Sequence, residues 1–184
     1  MVYKFRIISD EADDFMREIK IDAEANFYDL HEAILKSTGY KDDQMTSFFI
    51  CDDDWEKETE ITLEDMGSGS SEEDTYVMKD TPLNELLEDE KQKLVYVFDP
   101  LAERVFFIEL AEIITGKDLE KAVISRKEGT PPPQTIDFDE QLNTNSSLDL
   151  DEDFYGDEDF NEDDLDDAGF DFNDGSDPYG QDNY

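Results

Sequence analysis

The sequence predicts an α+β domain, a mainly antiparallel sheet with one main helix packed across it, followed by a disordered acidic tail. Three observations carry this reading. Apolar and charged residues alternate with period two in segments near both ends of the first 116 residues, the mark of half-buried strands. One long segment between them repeats instead with the helical period. Charge then shifts abruptly. Pro131–Tyr184 holds 19 acidic residues and no Lys or Arg, leaving 34 acidic and all 15 basic residues in 1–130. Half of the net charge of -38 therefore sits in the last 54 residues. A segment so acidic and so poor in apolar surface cannot offset the entropy of its own ordering. The expected organisation is a globular domain over 1–116, a basic island with a Pro-rich linker over 117–134, and a disordered acidic and aromatic tail over 135–184.

The elements follow in order. Val2–Ile8 places Tyr3, Phe5 and Ile7 on one face and Lys4 and Arg6 on the other, and Phe15–Ile21 repeats the alternation, so the opening is a hairpin. Asn26 stands where an N-cap belongs, with Asp29 three residues on. Phe27, Leu30, His31, Ile34 and Leu35 then share a helix face, Glu32 and Lys36 form an outward pair, and Gly39 is the stop. Met45–Cys51 reads as a third strand and Glu58–Leu63 as a short fourth. Gly67–Asp74 is a flexible surface loop. Thr81 is a candidate N-cap for a short helix burying Leu83, Leu86 and Leu87. Leu94–Phe98 and Arg104–Leu110 form the strongest strand pair, joined by Asp99-Pro100-Leu101-Ala102 as a turn. Thr115-Gly116 closes the region. Lys117, Lys121, Arg126 and Lys127 make the basic island, and Gly129-Thr130-Pro131-Pro132-Pro133 the stiff linker. The same element order suits a β-grasp-like variant.

Charge and composition exclude several functions. Direct nucleic-acid binding needs clustered cations, and an anionic membrane surface repels this chain equally. One cysteine, Cys51, permits neither an internal disulfide nor a cysteine-based zinc cage. No apolar run reaches the length of a membrane span and no leader precedes the first strand, so a cytoplasmic protein is expected. His31 is the only histidine and reads as a packed boundary residue of the helix. Cys51, at the end of an apolar strand, reads as a buried structural thiol. Glycine patterning supports no nucleotide site. No cofactor is expected.

The order of motifs, a strand ending REIKI, the helix FYDLHEAIL, TGY, the strand TSFFI, then YVFD, VFFIEL and GTPPPQ, resembles the plasmid pRiA open-reading-frame-three-like family over about 1–134. Members are also labelled insertion-element passenger proteins. The resemblance implies an α+β fold, a bacterial source and association with mobile elements, and no established activity. Two family features are replaced here. The usual Pro and Trp-Arg-Arg before the first helix become Phe15-Met16-Arg17, and the usual Gly-Asp-x-Trp after the YxFD strand becomes Pro100-Leu101-Ala102-Glu103.

Acidic clusters invite a metal reading. Asp149-Leu150-Asp151-Glu152-Asp153 alternates like the start of a calcium loop, but Phe154 and Phe160 stand where that loop needs Gly and Glu. Asp52, Asp53, Asp54 and Glu56 are the candidate ligands if the chain is instead a metal-dependent hydrolase. The tail points elsewhere. Eight aromatic residues are interleaved with its carboxylates: Phe138, Phe154, Tyr155, Phe160, Phe170, Phe172, Tyr179 and Tyr184. Carboxylates attract a basic groove at long range and rings hold it at short range. The expected function is a non-enzymatic interaction module or adaptor. Its tail mimics nucleic acid on a basic surface of a large partner: RNA polymerase, a ribosome or a transposition complex. By layout the chain also resembles the delta subunit of RNA polymerase in Gram-positive bacteria. Trp55, Phe154, Tyr155, Phe160, Phe170 and Phe172 are the expected contact residues. Two alternatives remain for the tail, solubilisation alone and folding back over the basic island. Sequence does not separate an anchoring Trp55 from an exposed one.

Overall fold

The computed structural model describes residues 1–67 and 76–136. Ten elements lie within them: β1 (Val2–Ile8), β2 (Met16–Asp22), α1 (Phe27–Thr38), β3 (Ser47–Cys51), β4 (Lys57–Thr62), β5 (Tyr76–Val77), α2 (Leu83–Leu86), β6 (Lys93–Asp99), β7 (Arg104–Ile114) and β8 (Val123–Glu128). The strands form one sheet in the order β5-β4-β3-β6-β7-β1-β2-β8. Neighbours are antiparallel except β4 and β5. This is the expected α+β class, with a single long helix on one face.

Alternation decides which face is buried. Tyr3, Phe5, Ile7, Ile19, Ile21, Phe48, Leu94, Tyr96, Phe98, Phe106, Ile108 and Leu110 point toward α1 and pack with Phe27, Leu30 and Ile34 into one core. The helix is set by its ends. The Asn26 side chain accepts from Asp29 N at 2.9 Å, the Asp29 carboxylate accepts from Asn26 N at 3.1 Å, and Gly39 at φ 77 turns the chain out. Both caps satisfy groups that a free helix end leaves orphaned.

Three segments depart from expectation. Residues 117–134, read as a basic island and Pro-rich linker, include a strand. Val123–Glu128 is β8, paired with β2, because Met16–Asp22 would otherwise expose the hydrogen-bonding edge of a strand whose core face is buried. Tyr76–Val77 adds a short parallel strand beside β4. Thr81 does not cap α2. Its hydroxyl donates to Val77 O at 2.9 Å, Pro82 takes the N-cap position, and Leu86 is only half-buried. The expected loop over 67–74 lies outside the described residues from 68 onward, as does the tail with its candidate residues Phe154, Tyr155, Phe160, Phe170 and Phe172.

A buried cation fastens the chain that follows β8. Arg17 is 1% exposed. Its Nε donates to Ser37 O at 3.0 Å, Nη1 to Met16 O at 2.9 Å and to Glu128 O, and Nη2 to Gly129 O at 3.2 Å. The partners are carbonyls rather than carboxylates. The Ser37 carbonyl belongs to the C-terminal turn of α1, where the helix dipole is negative and favours a cation. The guanidinium also covers the Phe15 ring at 4.5 Å. Gly129 sits at φ 62 so close to β2 that a Cβ there would lie 2.2 Å from Asp14 O. Beyond it the Tyr40 hydroxyl donates to Pro132 O, and the Gln134 side chain bonds both Lys41 N (2.8 Å) and Lys41 O (2.7 Å). Arg104, held by Glu11 and Asp99, donates to Gln134 O at 3.3 Å. The Pro-rich stretch is therefore a strap on the domain.

Candidate interaction surface

The face of the sheet turned away from α1 is built from the alternate residues of the same strands. Its composition is unusual for a solvated sheet face. Across β4, β3, β6, β7, β1, β2 and β8 the register aligns Glu60, Phe49, Val95, Phe107, Ile8, Met16 and Glu128 in one row. Five consecutive strands thus contribute an apolar side chain, with a carboxylate at each end. Val97 and Val105 extend the patch on the next row. Ile8 is 44% exposed and Phe49, Phe107 and Met16 are half-buried, while Val95 (3%) and Val97 (7%) are covered by their neighbours. Four of the five side chains in the row are thus left partly in water, which makes the face a candidate contact surface.

On the other side of the apolar row runs a charged one: Lys57, Cys51, Lys93, Glu109, Arg6, Glu18 and Arg126. Neighbouring opposite charges on adjacent strands compensate one another. Lys57 Nζ lies 4.7 Å from the centre of the Phe49 ring, and Lys93 Nζ 5.1 Å from that of Trp55. These ammonium groups cover the edge of the apolar patch while remaining in water.

Trp55 belongs to this surface. It lies in the β3–β4 turn, where its own φ is 68, and its ring stands edge-on to Phe107 with centroids 5.1 Å apart. The turn is formed by Asp52, whose carboxylate accepts from Asp54 N and Glu56 N, both at 2.9 Å. That carboxylate serves the backbone, and Asp53 and Asp54 point to solvent. Among the described residues no three His, Cys, Asp or Glu side chains converge as metal ligands. The geometry gives the carboxylate-hydrolase alternative no support.

The other candidates are structural. His31 is fully buried, with Nε2 3.2 Å from Asp42 Oδ1 and Nδ1 2.7 Å from the Tyr96 hydroxyl. Since the carboxylate can only accept, Nε2 carries the proton and Nδ1 receives the tyrosine O–H. Burial pulls the His31 pKa below its ordinary value despite Asp42, so the ring is neutral and satisfied at both nitrogens. Cys51 is buried and its thiol is pushed up by desolvation, as a structural thiol should be. A groove of about 460 Å³ separates α1 from the segment leading into β8, and its lining sets Asp22, Asp29, Glu32 and Glu120 against Lys36 and Lys121.

The open-face row was missed by sequence reading, although a signal existed. Phe48-Phe49 and Phe106-Phe107 put rings on both faces of β3 and β7, and Lys93–Asp99 is nearly continuous in apolar residues. Such runs belong to strands covered on both sides.

Residues 2–167 match a family model described as plasmid pRiA4b ORF-3-like protein, running past the 134 residues over which the motifs were read. A crystal structure of a protein of unknown function from Methanosarcina mazei is similar in fold. It has a TM-score of 0.51 and 16% identity, with 68% of each chain covered. No curated protein matches.

Proposed function

Because this chain belongs to the plasmid pRiA4b ORF-3-like family, whose description names a plasmid reading frame and no reaction, we propose a non-enzymatic interaction module. The domain makes contacts through the open sheet face. The acidic, aromatic tail engages a basic, nucleic-acid-binding surface of a large partner, of the class of RNA polymerase, ribosome or transposition complex. Such a role places the protein in the cytoplasm, and the plasmid-derived family supports association with mobile elements. The observation that carries the reading is the apolar row from Phe49 to Met16 with Trp55 at its edge. Solubility alone gives no reason for that row. The tail supplies the complementary long-range term, with 19 acidic residues and eight rings.

Co-sedimentation of the full chain with purified RNA polymerase and with ribosomes, at about 0.05 M and about 0.5 M NaCl, tests this. Binding should weaken with salt. It should fall at least tenfold when Phe154, Tyr155, Phe160, Phe170 and Phe172 are all changed to Ser. Absence of binding to either complex at low salt, or binding indifferent to salt and to these substitutions, would overturn the proposal.

A further inference from the structure

The charged and apolar rows of the open face together carry four cations (Lys57, Lys93, Arg6, Arg126) and four carboxylates (Glu109, Glu18, Glu60, Glu128). They sum to zero within a stretch, 1–130, whose net charge is -19. A strongly charged partner therefore has little electrostatic reason to choose this face. A neutral, self-complementary surface suits another copy of itself.

We propose that a second copy of this chain covers the open face, the two sheets packing face to face about a two-fold axis that runs across the strands between the two rows. This rests on reading the open face as a contact surface. The operation lays each strand over its own counterpart and exchanges the rows. Lys57 then stands over Glu60 of the second copy, and Arg126, which already bonds Glu128 of its own chain, over Glu128 of the second copy, each pair occurring twice. Between these ends the stem of Arg6 faces Ile8 of the second copy, and Lys93, whose ammonium donates to Asp53 O beside Trp55, faces Val95 of the second copy. Strands aligned within about 30° and sheets about 10 Å apart are ordinary geometry for such packing.

The area sets the strength. Seven strands each about 4.8 Å wide and three rows each about 6.8 Å deep cover roughly 34 by 20 Å, or ~700 Å² of flat surface per copy. A standard stable interface takes ~800 Å² per partner, so the dimer should be a concentration-dependent equilibrium rather than a permanent assembly. Net charge sets the salt response. Two chains of -38 repel, and screening tightens as the Debye length falls from ~10 Å at 0.1 M to ~3 Å at 1 M salt. Association through a neutral apolar face must strengthen with salt, the opposite of tail binding to a basic partner.

Sedimentation equilibrium on the full chain, from micromolar to several hundred micromolar at low and high NaCl, is the test. A monomer–dimer equilibrium that tightens severalfold with salt is expected. Ile8→Asp, at an exposed position, should abolish it while circular dichroism stays unchanged. Lys57→Glu should weaken it, and Lys57→Glu with Glu60→Lys should restore it. A monomer at every concentration, or a dimer indifferent to Ile8→Asp, would overturn the proposal. A monomer that still binds RNA polymerase or ribosomes removes this inference and leaves the adaptor reading standing. A salt-strengthened dimer that binds neither does the reverse.

Discussion

Replacing Arg17 with methionine tests whether a buried cation partnered only by carbonyls holds β8 and the strap in place. Methionine roughly keeps the apolar stem and removes all four hydrogen bonds. The Ser37 carbonyl is buried, and leaving it unpaired costs ~2 kcal/mol. The Glu128 and Gly129 carbonyls are partly buried and recover some hydration, so each loses ~1 kcal/mol. Against this, the guanidinium is desolvated enough to lower its pKa, and its removal returns ~1 kcal/mol of that burial cost. The balance is a loss of ~3 kcal/mol, or ~10 °C in melting temperature for a domain of this size. Urea denaturation measures the first quantity and calorimetry the second. Amide exchange should accelerate in Val123–Glu128 before it does in β6 and β7. A loss below ~1 kcal/mol with unchanged exchange in β8 would show that the cation is incidental and the reasoning wrong.

Three further expectations follow from the same structure. Gly129→Ala must move β2 or the strap to relieve the contact with Asp14 O and should cost ~2–4 kcal/mol. Gly116→Ala, with nothing near its Cβ and only a positive φ to strain, should cost ~1 kcal/mol, and equal losses would refute the steric account. His31 has a folded pKa below its unfolded value, so the stability linked to it is present above pH ~6.5 and is lost as pH falls toward the folded value. Relative to His31→Gln, the parent protein should weaken by up to ~1.4 kcal/mol per pH unit in urea titrations from pH 7.5 to 5; parallel curves would mean His31 is not titrating. Cys51 should react with a thiol reagent far more slowly in the native protein than in urea, and rapid native labelling would place it at the surface.

The parts of the fold legible in sequence are those whose signals are local. Asn26, Asp29 and Gly39 bracket α1 by chemistry that acts within three or four residues, and Tyr3, Phe5 and Ile7 show their face by alternation alone. β8 has no such signal. Val123–Glu128 is mostly exposed, and it is a strand because β2 needs a neighbour and Arg17 reaches its last carbonyl, Glu128 O, and that of Gly129 just beyond. The apolar row of the open face was hidden for a related reason. Phe49, Val95, Phe107, Ile8 and Met16 are scattered over 100 residues, and only pairing register makes them one row. Trp55 was noticed by type, but its place on Phe107 depends on a turn from a different hairpin.

The position of β1 between β7 and β2 has a consequence in time. Val2 pairs with Ile114 on one side, and its neighbour β2 is closed by β8 up to Glu128. The first hairpin, carrying Phe5, Ile7 and Ile19, is only marginally stable by itself. During synthesis it must wait about 100 residues for the strands that flank it, on the order of 5–20 s at ordinary elongation rates. Throughout that interval two unpaired edges and a row of large apolar side chains face water, next to a chain whose like charges keep neighbouring copies apart. Folding is consequently governed by long-range closure: β7 must reach β1 first, and the edge strand β8 is the last to be added.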